Sequence, residues 1–185
     1  MMTPNDYEAL YQNAILTGNP RDIDYAARVA IAHESLYRAV QLETKIPWQV
    51  VACIHFRESN QDFTKHLHNG DPLSSRTTHV PEGRPTTGEP PFSWQDSAID
   101  ALSGIWKPLA WNLAGWLEFM ERYNGIGYQK HGINTPYLWD FTSQYTAGLF
   151  VADGSFNPVK TESRPGCVAL LKGMLARGTT LDFLS

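Results

Sequence analysis

The sequence predicts a mainly α fold: a helical bundle around one buried central helix, with a small loop-and-hairpin lobe inserted after it. Three observations lead there. Apolar residues recur at helical spacing over most of the chain. One stretch, Trp48 to Phe56, is apolar nearly all round, the mark of a helix enclosed by others. Between Phe63 and Pro91 the turn pairs Asn69-Gly70 and Asp71-Pro72, together with Pro81, Pro85, Pro90 and Pro91, interrupt any helix. At 185 residues the chain reads as one domain, 1–185, long enough to bury a core without staples.

The elements follow in order. Asp22 to Glu43 reads as one helix, with Ala26, Val29, Ala30, Leu36, Tyr37 and Val40 on its apolar stripe. The central helix opens at Pro47, since proline suits a first turn whose N–H has no partner in any case. Residues 63–91 form an irregular segment with one small hairpin. Ser93 followed by Asp96 starts the next helix as a capping pair. It places Ala98, Ile99, Leu102, Ile105 and Trp106 on one face and ends before Pro108. Another helix buries Leu109, Leu113, Trp116, Leu117 and Met120 and stops near Gly125. A short hairpin is expected around Asp153-Gly154. A last helix, Gly166 to Arg177, packs Val168, Leu171, Met174 and Leu175, with Gly178 closing it.

Composition narrows the function. A net charge of −4 offers no basic face for nucleic acid, and no electrostatic pull toward an anionic cell wall. Aromatics make up 12% of the chain, with six Trp and eight Tyr, which suits a protein that stacks flat rings on sugars as well as one that fills its core with them. Cys53 and Cys167 sit in apolar runs and read as buried free thiols. No basic stretch precedes an apolar run at the start, and no stretch approaches the ~18 apolar residues of a membrane span. The expectation is a monomer made in the cytoplasm without a signal peptide or membrane insertion, and carried to its target by something else.

Glu58 is the most informative residue. On a helix starting at Pro47 it shares a stripe with Val51 and Ile54, seven and four residues earlier. A carboxyl closing an apolar stripe is where desolvation raises a pKa, as a general acid for glycoside cleavage requires. The plainer alternative is a partly exposed helix-end Glu paired with Arg57 or Lys65. Pro47-Trp48-Gln49-Val50-Val51-Ala52-Cys53-Ile54-His55-Phe56-Arg57-Glu58-Ser59 resembles the catalytic segment of goose-type lysozymes and soluble lytic transglycosylases, within the lysozyme superfamily. Glu121-Arg122-Tyr123-Asn124-Gly125 is similar to that family's Tyr-Asn-Gly motif. The resemblance spans residues 47–128. It implies a lysozyme-like α+β catalytic domain, with Glu58 as the acid and Ser59, Tyr123, Asn124 and Tyr128 contacting substrate beside it. The family's Gly-Leu-Met-Gln stretch is absent; the Pro-rich segment stands in its place.

A glycosidase acid ordinarily works with a second group. Asp71 lies thirteen residues after Glu58, on a turn able to form an opposite wall, and goose-type lysozymes place an aspartate at a similar offset. The equal alternative is that Asp71 only starts its turn; Glu82 and Thr77 are further candidates, and Asp62 is too near the helix end. The cleft aromatics would be Tyr123 and Tyr128 first, with Tyr137, Trp139 and Tyr145 as suited to the core. Glu34-Ser35 is read as a mid-helix decoy with a solvated carboxylate. His33, His55, His66, His68, His79 and His131 lack the spacing partners of a zinc site, so no metal or other cofactor is expected.

The expected activity is cleavage of the β-1,4 bond between N-acetylmuramic acid and N-acetylglucosamine in peptidoglycan glycan strands. If Asp71 activates water the outcome is hydrolysis; with no base the muramic 6-hydroxyl attacks and leaves an anhydro sugar. The rivals are a chitinase of the same fold and a non-catalytic sugar-binding module in which Glu58 is structural. A bacteriolytic product of this kind fits a phage endolysin or a virion-associated lysin, delivered by a holin or by the virion.

Overall fold

The computed structural model describes residues 2–152 and 154–183. The chain is mainly α-helical with one small β-hairpin, and divides into two compact units: residues 1–27 with 108–185, and residues 28–107.

The first unit opens with α1 (Pro4–Asn13), a helix outside those predicted from the sequence. Its signal is a capping box. The Thr3 hydroxyl accepts from the Asp6 amide, and the Asp6 carboxylate accepts from the Thr3 amide at 2.7 Å, so two otherwise orphaned donors are satisfied. Helix α1 packs on α6 (Leu113–Asn124), α6 on the short α7 (Pro136–Trp139), and α7 on α8 (Cys167–Ala176). Trp116, Leu117, Phe119, Met120, Leu138, Trp139, Val168, Leu171 and Met174 fill its core. Each large side chain so enclosed contributes about 1.5–3 kcal/mol relative to exposure. Strands β1 (Leu149–Ala152) and β2 (Ser155–Asn157) pair antiparallel in the expected place, although Asp153 of the turn lies outside the described residues.

The second unit holds α3 (Glu34–Thr44), packed on both α4 (Trp48–Ser59) and α5 (Trp94–Leu102), and an irregular segment between α4 and α5. Helix α4 starts behind Pro47, and its first amide is satisfied by the Gln41 side chain at 2.7 Å. It stops at Asn60, which adopts the left-handed conformation (φ 55°).

Four expectations from periodicity are corrected. The helix read as Asp22–Glu43 is two helices, α2 (Pro20–Ala32) and α3, broken at His33. His33 has left the helical region (ψ 19°), and its ring Nδ1 bonds the Val29 carbonyl, a side-chain partner that competes with the helix ladder. Leu36 is consequently 39% exposed, and Glu34-Ser35 begins a helix rather than sitting mid-helix, with Glu34 paired to Arg38 at 2.6 Å. Helix α5 ends at Leu102, because Ser103 is extended and Gly104 takes φ +72°, which leaves Trp106 46% exposed. Leu109 lies before α6, fully exposed, since Asn112 caps that helix by accepting from the Gly115 amide. Leu175 is on the exposed side of α8. Cys53 and Cys167 are buried free thiols.

Candidate active site

Eleven of the twelve residues of α4 are buried; Glu58 is the exception, half-buried in the last turn. The reason is the packing of the rest. His55 lies in a ring box with Tyr37, Phe63 and Trp94, its centroid 4.5 Å from that of Trp94 and 4.7 Å from that of Phe63. Burial pulls its pKa down to about 4, so the ring is neutral. Its Nδ1 then accepts from the Tyr37 hydroxyl at 3.0 Å, and Nε2 donates toward the Asp62 carbonyl at 3.3 Å. These rings enclose the His55 side of α4, and Glu58 in its last turn is left half-buried. Ser59 is buried and donates to the His55 carbonyl at 3.3 Å. It closes the helix rather than presenting its hydroxyl to a glycan, contrary to the substrate contact expected of it.

The segment after α4 folds straight back on that helix end. Lys65 bridges Pro72, and the Leu73 amide bonds the Thr64 carbonyl at 3.0 Å, so residues 64–73 form a tight hairpin-like loop. At its tip Gly70 has φ +79°, and a Cβ added there would stand 3.3 Å from the Glu58 carbonyl oxygen. Glycine is needed twice over: for the conformation and for the close approach to the backbone of Glu58.

Asp71, beside that glycine, is buried and saturated. Its Oδ2 accepts from the Thr78 amide at 2.7 Å, the His79 amide at 3.0 Å and the Thr78 hydroxyl at 3.3 Å; its Oδ1 accepts from His79 Nδ1 at 2.7 Å. The His79 amide foremost, aided by the His79 ring and the Thr78 amide, holds the carboxyl well below the usual carboxylate range against an opposing desolvation. A carboxylate so stabilised is a weak base with little room to receive a proton. The geometry therefore opposes the expectation that Asp71 activates water.

Of the other candidates in this unit, Thr77 and Asp62 are engaged locally and Glu82 is exposed. Thr77 is buried, with its hydroxyl donating to the Pro81 carbonyl and accepting from the Arg84 amide. Glu82 is exposed on the same loop, and Asp62 caps Thr64. His66 is enclosed between Ser97 Oγ at 2.7 Å and the Ser75 carbonyl at 2.8 Å; His68 meets Asp100 at 2.8 Å, and Arg84 meets the same Asp100 oxygen. These histidines bind α5 to the loop. Among the described residues no three His, Cys, Asp or Glu converge as a metal site.

Tyr123, Asn124 and Tyr128 belong to the first unit. Helix α6 ends on Asn124, with Gly125 at φ 102°, where the sequence pattern stops it. Tyr123 is half-buried. Asn124 is exposed, its amide 3.4 Å from the Thr135 hydroxyl, and with Gly125, Gly127, Tyr128, Phe150 and Val151 it lines a groove of about 480 Å³. Tyr128 packs edge-on against Phe150 (centroids 4.9 Å apart) and its hydroxyl accepts from the Phe150 amide. Tyr137, Trp139 and Tyr145 are buried and serve the core. No family model, curated protein or solved structure matches the chain. No helix among the described residues is long and apolar enough to cross a membrane.

Sequence reading missed His79 as a partner of Asp71. The signal available was weak: eight residues separate them across Pro72, and only the Asp-Pro turn hinted that the carboxylate would be used locally.

Proposed function

We propose that the chain is a peptidoglycan-lytic glycosidase, a muramidase cleaving the β-1,4 bond after N-acetylmuramic acid, with Glu58 protonating the leaving oxygen. The observation that carries this reading is the setting of Glu58: the one half-buried residue of an otherwise buried helix, at a helix end against which a glycine loop closes. A half-buried carboxyl at the end of an apolar helix is the kind of group that general acid catalysis of glycoside cleavage uses.

A second reading, a lytic transglycosylase, is favoured by the saturation of Asp71. If no group activates water, the muramic 6-hydroxyl attacks and the product carries an anhydro ring.

The test is a digest of purified peptidoglycan resolved by mass spectrometry, for the wild type and Glu58→Gln. That change keeps shape and removes the transferable proton, and is expected to lower release by ~10²–10⁴-fold. Full release by Glu58→Gln removes the acid assignment, and no release by the wild type removes the lytic reading in favour of a sugar-binding module.

A further inference from the structure

Both oxygens of the Asp71 carboxylate are already engaged, and one of them fixes a group able to take a proton. Its Oδ1 lies 2.7 Å from His79 Nδ1. Because the carboxylate is an acceptor only, Nδ1 must carry the shared proton, and in the neutral ring the lone pair is then on Nε2. The His79 side chain is 80% exposed, so Nε2 faces outward while the other edge of the ring is held. This is the logic of a carboxylate that orients a histidine base and sets its tautomer.

The loop also determines where this ring is. Gly70 closes on the Glu58 carbonyl, and both of its neighbours hold His79: Asn69 donates to the His79 carbonyl at 3.0 Å, and Asp71 accepts from both the amide and the ring. His79 is thus tied on both sides to the residue that seats against the acid's own backbone. Arg76 donates to the carbonyls of Pro85 and Gly88, and Thr77 to that of Pro81, so the surrounding loop is pinned as well.

Resting on the muramidase reading, we infer that His79 is the base that activates water for hydrolysis and that Asp71 is its positioning residue. In the step, Glu58 gives its proton to the glycosidic oxygen as the bond from that oxygen to the muramic C1 breaks. The water oxygen bonds to C1, and its proton passes to His79 Nε2. The N-acetylglucosamine side leaves with a free hydroxyl, and solvent exchange restores both side chains. No oxidant, metal or further reactant is needed.

The experiment uses the full chain on purified peptidoglycan, scoring reducing-end and anhydro products separately across pH. His79→Gln leaves the bonds from the Thr78 amide and the residue-79 amide to Asp71 in place. It is expected to melt like the wild type and to lose reducing-end product by ~10²–10⁴-fold. The acid limb of the pH–rate profile should vanish with it, a change that a merely structural role would not produce. His79→Ala should recover hydrolysis when imidazole is added, which keeps the test decisive if the Gln variant folds poorly. Two outcomes overturn the inference: hydrolysis by His79→Gln within about twofold of wild type, far inside that range, or anhydro products alone from the wild type. When Glu58→Gln is inactive and His79→Gln is not, only the base falls; when the wild type releases nothing, the lytic reading falls and the base with it.

Discussion

The segment between α4 and α5 and the β1–β2 hairpin are both turn-rich and punctuated by glycine, and they are held by different chemistry. The first is pinned by side chains that reach backbone groups: Asp71 takes the amides of Thr78 and His79, Arg76 the carbonyls of Pro85 and Gly88, Thr77 the carbonyl of Pro81. The hairpin is held by its backbone pairing, by the Phe150 amide donating to the Tyr128 hydroxyl, and by rings. Phe156 stacks on His131 with centroids 4.0 Å apart, and Phe150 meets both Tyr128 and Phe156 edge-on. Polar anchoring fixes direction as well as position, so it can aim one imidazole; ring packing fixes a surface but tolerates rotation.

Removing the strongest polar anchor gives the largest effect. Asp71→Ala leaves two amides and a ring nitrogen without their acceptor, and hydrogen bonds to a charged group are each worth about 1.5–3 kcal/mol. The Thr78 and His79 amides should lose their protection in hydrogen exchange, while those of β1 and β2 keep theirs. Unchanged protection at Thr78 and His79 would mean that Arg76 and Thr77 hold the loop alone.

Acid should next weaken the unit that carries the first region, through His55 of α4. Burial holds His55 neutral, with its pKa lowered to about 4 from 6.5, so the folded state binds fewer protons than the unfolded one in between. The stability this supplies is complete above pH 6.5 and is lost as pH falls toward 4, at about 1.4 kcal/mol per unit at most. His68, lowered by its own burial, adds in the same direction although Asp100 opposes the shift. Denaturant melts between pH 7 and 4 should show this slope for the wild type and a shallower one for His55→Phe. An equal slope in both would place the effect elsewhere.

The smallest effect concerns the rings. Phe156 is half-buried, so Phe156→Ala should cost about 1–2 kcal/mol, less than a fully enclosed phenylalanine. The loss should be insensitive to salt, because no ion pair is removed. A salt-dependent loss would show that the exposed His131 acts through its charge rather than its ring.

Much of the helical frame was legible in the sequence. The all-round apolar run from Trp48 to Phe56 announced a buried helix, Asn124-Gly125 marked the end of α6, and Ser93 with Asp96 marked the start of α5. Periodicity reports which face of a segment is apolar, and caps report where a backbone runs out of partners; both are local. The half-burial of Glu58 did not follow from that stripe, since Val51 and Ile54 on it are fully buried.

Tertiary structure decided the rest. The break at His33, the early end of α5 and the exposure of Leu109 came from competing backbone partners and glycine conformation, which an apolar stripe does not register. Asp71 could be recognised as a turn residue, but not as a saturated carboxylate holding His79, because a hydrogen bond across eight residues of irregular chain has no period. Its geometry exists only once Gly70 has closed on the end of α4, and that approach is set by the space between two backbones rather than by any one residue's preference.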